Sequence, residues 1–231
     1  MKHPRLAAAV VFAFVVGLAA PATAQNAPTR EELAVYAGLH EAAAKGDVAE
    51  IETLIKSGEK INIQDSKSRT PLIVAAFMKR PDAVRALLKL GANANALDID
   101  RYDIVTIAAV ANDLPTLKAA LEGGASAKNI TSRYDGTALI AAAHLGHAEV
   151  VKMLIAAKAP LNHVNNLGWT AVMEAIVLGN GGASHTATVR ALVEAGCDVN
   201  IADRQGITPL QHANRRGYVE MTRILENAGA R

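Results

Sequence analysis

Apolar residues in this chain recur with helical spacing in short bursts, as at Val84, Leu87 and Leu88 and again at Val150, Val151, Leu154 and Ile155. Superposing the bursts gives blocks that open at Ala37, Thr70, Asp103, Thr137, Thr170 and Thr208, at intervals of 33, 33, 34, 33 and 38 residues. Within them Ala42, Ala75, Ala108, Ala142, Ala175 and Ala213 share one column, and Leu39, Leu72, Val105, Leu139, Val172 and Leu210 another. A third column, Leu54, Leu87, Ala120, Leu154, Leu192 and Leu225, falls late in the block. All three read as core. A period near 33 predicts a stack of small helical units, each burying its apolar faces only against its neighbours.

The polar punctuation splits each block into two short helices. The first must stop near Gly46, Lys79, Asn112, Gly146, Gly179 and Gly217, and the second near Gly58, Gly91, Gly124, Lys158, Gly196 and Gly229. Glycine has no Cβ to oppose the left-handed conformation that closes a helix, so Lys79 and Lys158 are departures. Asp47 with Glu50 forms a candidate capping box, and Pro81 and Pro115 suit a first helical turn, where no N–H bond is lost. Asn62, Asn95, Lys128, Asn162 and Asn200 then sit at one offset in the turn that follows.

These motifs resemble ankyrin repeats. Thr70-Pro71-Leu72-Ile73-Val74-Ala75-Ala76, Thr137-Ala138-Leu139 and Thr208-Pro209-Leu210 look like the family's helix opening. Gly146-His147-Ala148-Glu149-Val150-Val151 looks like its helix link, and Gly196-Cys197-Asp198-Val199-Asn200 like its hairpin. The likeness covers residues 37 to 231. It implies an all-α solenoid of six helix-turn-helix repeats with short β-hairpin connections, and a protein-binding role.

The first 24 residues are of another kind. Lys2 and Arg5 precede an uncharged apolar run from Leu6 to Ala20, and Ala22-Thr23-Ala24 offers a small-residue cleavage site. The run is short for a spanning helix, which needs about 20 residues. We expect a cleaved signal peptide over 1–24, export to a periplasm or the exterior, and no stable membrane insertion. A lead-in over 25–36 follows, in which Thr29 and Glu32 predict a capping helix running into the first block and shielding its end. The leader holds two of the 24 basic side chains and none of the 22 acidic ones, so the remainder is balanced. Nucleic-acid binding, which needs concentrated positive charge, is therefore not expected. The single Cys197 excludes an internal disulfide, and its column is otherwise small apart from Glu59, so it reads as a buried spacer.

In the resembled architecture the residues flanking each block start, and those ending the first helix, line a concave face. Of the six aromatic residues after the leader, Phe77, Tyr102, Tyr134 and Trp169 fall in those columns. Aliphatics already fill the core columns, and rigid aromatics supply contact area at low entropic cost. With Met78, Leu167, Arg204 and Arg215 they are the candidate partner-binding residues. An alternative is that the rings only pack across adjacent hairpins. The five extra residues of the fifth interval lie in Gly179-Asn180-Gly181-Gly182-Ala183-Ser184-His185-Thr186, where three glycines predict a mobile loop.

Catalytic signatures are weak. His144, His147, His163 and His185 show no zinc-binding spacing, and no nucleophile elbow or phosphate loop is present. The expectation is a non-enzymatic, cofactor-free, exported scaffold that holds a partner protein of unspecified identity on its concave face. The alternative, from similarity to bacterial periplasmic members of the family, is a stress-defence protein binding a metal, haem or small ligand.

Overall fold

Thirteen helices are found in the computed structural model, which describes residues 25–231. The expected signal peptide, 1–24, lies outside the described residues. After α1 (Arg30–Val35) come six helix pairs: α2 (Gly38–Lys45) with α3 (Val48–Lys56), α4 (Pro71–Phe77) with α5 (Pro81–Lys89), α6 (Ile104–Val110) with α7 (Leu114–Glu122), α8 (Ala138–His144) with α9 (Ala148–Ala156), α10 (Ala171–Val177) with α11 (Ala183–Glu194), and α12 (Pro209–Arg215) with α13 (Val219–Asn227). The first helices pack on one another in chain order and so do the second, giving two helical layers around one elongated core. The alanine column is buried in every pair, which lets neighbouring first helices approach closely.

Side-chain caps start most first helices. Thr70, Asp103, Thr137, Thr170 and Thr208 each accept a backbone N–H from three residues on. Ala37 has no such group, and the outlier Glu59 replaces it: its Oε1 accepts the Leu39 N–H at 3.0 Å. An alanine side chain at Gly38, whose φ is +56°, would meet that carboxylate at 2.5 Å, so the first repeat uses a glycine and a glutamate where the others use one threonine or aspartate. Asp47 accepts the Glu50 N–H at 3.0 Å, half of the expected box. Lys79 and Lys158 adopt the left-handed conformation despite their Cβ atoms, at φ 54° and 63°.

Three expectations change. No strand forms among the described residues, and the hairpins are hydrogen-bonded fingers with a single isolated bridge, Thr131 to Gly136. The capping box of Thr29 and Glu32 is present, but α1 stops at Val35, with Tyr36 extended, and buries none of its own residues. It does not run into the first repeat. The glycines of the fifth repeat build fixed structure where a mobile loop was expected: the extra residues lengthen α11 to twelve residues, while the five other second helices, α3, α5, α7, α9 and α13, have nine each. A Cβ on Gly179 would lie 2.0 Å from the Ala175 carbonyl oxygen and 2.6 Å from the His185 ring, and one on Gly181 would meet Tyr218 at 2.5 Å. The Tyr218 hydroxyl donates to the Gly179 carbonyl at 3.0 Å.

Candidate functional site

Five residues, each five places before a block start, build the fingers that edge the concave face. Asp65 accepts the N–H groups of Lys67 and Arg69 at 2.8 and 2.9 Å, Asp98 those of Asp100 and Tyr102 at 3.0 and 2.8 Å. Asn165 accepts those of Leu167 and Trp169, both at 3.0 Å, and Asp203 those of Gln205 and Ile207, both at 2.9 Å. Ser132 serves Tyr134 alone, at 3.2 Å. Fingers are also tied to one another: Ile99 N–H donates to Lys67 O, Ser132 to Arg101 O and Asn166 to Tyr134 O, at 2.9 to 3.0 Å. Their tips are thereby preset, so an incoming partner meets little loss of backbone freedom.

This column also carries the site's electrostatics. Burial pushes the Asp65 carboxyl up, but the Tyr36 hydroxyl, two backbone N–H groups and the Arg69 guanidinium outweigh it and hold the group below the usual range. Asp203 follows the same pattern, with His212 Nε2 at 2.7 Å from its Oδ2. Asn165 donates its amide to the buried Glu174 at 2.9 Å, and the other Glu174 oxygen lies 3.1 Å from His144 Nδ1. Asp98 differs: burial raises its pKa and the N–H groups of Tyr102 and Asp100 offset only part of that. Replacing Asp98 by Asn, the residue of the equivalent finger position at Asn165, is expected to raise stability at pH 7 by about 0.5–1 kcal/mol. A raised native pKa penalises folding only where the group is charged, so the gain should be full above that pKa and vanish below about pH 4, the unfolded Asp value. Urea unfolding of both chains at pH 7 and at low pH reads the difference; a loss at pH 7 would show that the negative charge is needed.

The candidate residues distribute unevenly. Tyr134 and Leu167 stand at finger tips, 43% and 41% exposed, and Ile99 at the preceding tip is 61% exposed. Trp169 is half-buried at the base of the Leu167 finger, and Phe77 and Met78 are half-buried at the end of α4. Arg204 and Arg215 are exposed. Tyr102 departs from expectation, being 8% exposed and part of the core. For this ring, packing is the better description. Position in the block could not separate Tyr102 from Trp169, since both precede a block start by one residue.

Part of the face is covered by the chain itself. Gln25 Nε2 donates to the Thr106 carbonyl at 3.3 Å, Asn26 Nδ2 to Asp100 at 2.6 Å, and the Asn26 carbonyl accepts Arg69 Nη1 at 3.1 Å. The lead-in thus crosses the second and third repeats, beside a shallow cleft of about 390 Å³ lined by Asn26, Ile99, Asp100, Arg101, Tyr102 and Arg133. Nothing in the repeat columns signalled this, since residues 25–29 precede them.

Histidines serve the scaffold. His147 Nδ1 lies 3.0 Å from Ala109 O, His163 Nε2 2.6 Å from Asp135 O, and His185 Nε2 3.0 Å from His144 O. Among the described residues no group of three or more His, Cys, Asp or Glu is arranged to hold a metal. Cys197 is buried, and burial, with Asp198 nearby, pushes its thiol up to about 11, against thiolate chemistry. No helix among the described residues is long and apolar enough to cross a membrane.

Comparison with known proteins agrees with this geometry. The family profile described as ankyrin repeats (3 copies) matches residues 25–102 and 105–203. The ankyrin repeat protein YahD of Escherichia coli K12 is 34% identical over 190 residues, 82% of this chain and 94% of that one. A crystal structure of an ankyrin repeat domain from Acinetobacter baumannii AYE superposes with a TM-score of 0.80 at 44% identity, covering 84% of this chain and 98% of that one. That of the human ASB11 ankyrin repeat domain gives 0.69 at 25% identity, covering 85% of each chain.

Proposed function

Since the chain belongs to the ankyrin-repeat family, whose repeats generally mediate protein–protein interaction, we propose that it is an exported, non-enzymatic scaffold that holds a partner protein on its concave face. The observation that carries this reading is the row of apolar tips, Ile99, Tyr134 and Leu167, held out on fingers that their own hydrogen bonds fix. An exposed aromatic on a rigid mount contributes contact area without new ordering cost. The partner-binding residues are Tyr134, Leu167, Arg204 and Arg215, with Trp169 supporting the Leu167 finger; the half-buried Phe77 and Met78 contribute at the edge. Export is supported by the charged head, apolar run and Ala22-Thr23-Ala24 of the leader, and places the scaffold in a periplasm or outside the cell.

The test is crosslinking in living cells from a photoreactive residue at Leu167, with one at Lys118 on α7 as control, and the mass of the recovered chain. The expected outcome is one stoichiometric protein captured from position 167 and not from 118, on a chain that begins at Gln25. Tyr134→Ala should then weaken the captured complex by about 2 kcal/mol, roughly thirtyfold, without lowering the melting temperature. Equal capture from both positions would end the assignment of the face, and a chain retaining residues 1–24 would end the export half.

A further inference from the structure

We propose that the C-terminal half of the concave face takes an extended acidic segment of the partner, carboxylates against Arg133, Arg204 and Arg215 and apolar residues between the Tyr134 and Leu167 tips. This rests on the scaffold reading above and names the chemistry of its partner.

The N-terminal part of the face already holds a stretch of the chain itself. Residues 25–29, which carry no acid, cross it without helical structure, and Glu32 on the following α1 brings a carboxylate to 3.0 Å from Arg69 Nη2 and 3.1 Å from Lys67 Nζ, while Arg69 also takes the Asn26 carbonyl. Cations on the finger between the first two repeats thus read an acid and a backbone carbonyl of a chain crossing them. On the later fingers Arg133 and Arg204 lack such an acid among the described residues, while Asp135 pairs with Arg101 at 3.4 Å. Among the described residues Arg133, Arg204 and Arg215 make no ion pair, whereas cations of the second helices are neutralised by acids on their own or the neighbouring second helix, as in Arg85 with Asp82, Lys152 with Glu149 and Arg190 with Glu220.

Arg133 and Arg204 are held in place by neighbouring fingers. The Arg204 guanidinium donates to the Asn166 carbonyl, and its stem lies over Gly168, where an added Cβ would meet Arg204 Cγ at 2.7 Å. Asn166 donates its amide to the Arg133 carbonyl at 2.9 Å, and Arg133 lies 5.4 Å from the Tyr134 ring centroid. Three fingers are thereby joined into one edge along which the Arg133 and Arg204 guanidinium groups flank the Tyr134 and Leu167 tips. Arginine suits carboxylate recognition because its planar fork donates two parallel bonds. Apolar tips set between the guanidinium groups suit the side chains of a peptide, whereas a nucleic-acid backbone presents phosphate charge along its whole length.

The test uses the chain lacking only the leader and four fluorescent probes. Three are peptides of roughly twelve residues with Leu and Tyr at shared positions and Glu, Gln or Lys elsewhere; the fourth is an oligothymidylate of about the same length. Anisotropy titrations should show the Glu peptide binding about tenfold tighter than the Gln peptide at about 50 mM salt, with the margin shrinking at about 300 mM. Arg133→Gln and Arg204→Gln should each remove about fivefold of that margin, and Arg85→Gln none. Equal binding of the Glu and Gln peptides, both weakened by Tyr134→Ala, would overturn the acidic preference and leave the scaffold reading standing. Tighter binding of the Lys peptide or of the oligothymidylate, or binding of no peptide, would overturn the proposal.

Discussion

Arg69→Ala is expected to cost about 3–4 kcal/mol of folding stability, read as a fall of roughly 10 °C in melting temperature. The Arg69 side chain is 1% exposed, and its Nε lies 2.7 Å from Asp65 Oδ2. Removing the guanidinium strands Asp65, whose side chain is only 10% exposed, with the Tyr36 hydroxyl and two backbone N–H groups as its remaining partners. The cost comes from leaving a buried charge unmatched, so the double variant Asp65→Asn, Arg69→Ala should recover part of it. Asp65 and Glu32 are both held below the usual carboxyl range, Glu32 first by the Thr29 backbone N–H. A depressed native pKa stabilises above the unfolded value and the gain is lost as pH falls through the native one, so the gap between native and variant chains should narrow below about pH 4. The same variant frees the lead-in from the second repeat, and limited proteolysis should then cleave between Gln25 and Tyr36. An unchanged melting temperature would reduce this network to decoration.

Leu139→Ala should cost about 3 kcal/mol, and Leu210→Ala no more than about 1 kcal/mol, although the two share a column. Leu139 is fully buried in the fourth repeat with a helix on either side, while Leu210 is half-buried in the sixth, where the stack ends. In a linear stack stability is a sum of repeat and nearest-neighbour terms, so a cavity at the centre weakens the coupling of the two halves. Urea unfolding followed by intrinsic fluorescence should accordingly broaden or split for Leu139→Ala and stay a single transition for Leu210→Ala. Equal costs at the two positions would mean that unfolding is not local to the repeat.

Much of the fold was legible because its determinants are local. Alanine columns, capping threonines and helix-closing glycines each act within one repeat or on the next, so spacing alone carries them. What the columns could not carry is contact between residues far apart in sequence. Asn26 bonding Asp100 and Tyr218 bonding Gly179 cross repeat boundaries, Glu59 capping α2 breaks the pattern within its own repeat, and no period predicts them. The glycines of the fifth repeat show the same limit. In sequence three glycines resemble a flexible loop, but here two of them are small because the Ala175 carbonyl, His185 and Tyr218 crowd them.

The candidate site divides the same way. Sequence by itself determined which residues stand at finger and helix-end positions, because offset within a repeat fixes the place of a side chain on the unit. Only the tertiary structure decided which of them meet solvent. Tyr102 and Trp169 occupy one column, yet one is sealed in the core and the other half open, and the lead-in covers the second and third repeats while leaving the fourth to sixth bare. Exposure depends on what packs against a side chain from elsewhere in the chain, and for a face crossed by the chain's own N-terminal segment that neighbour lies outside the repeat.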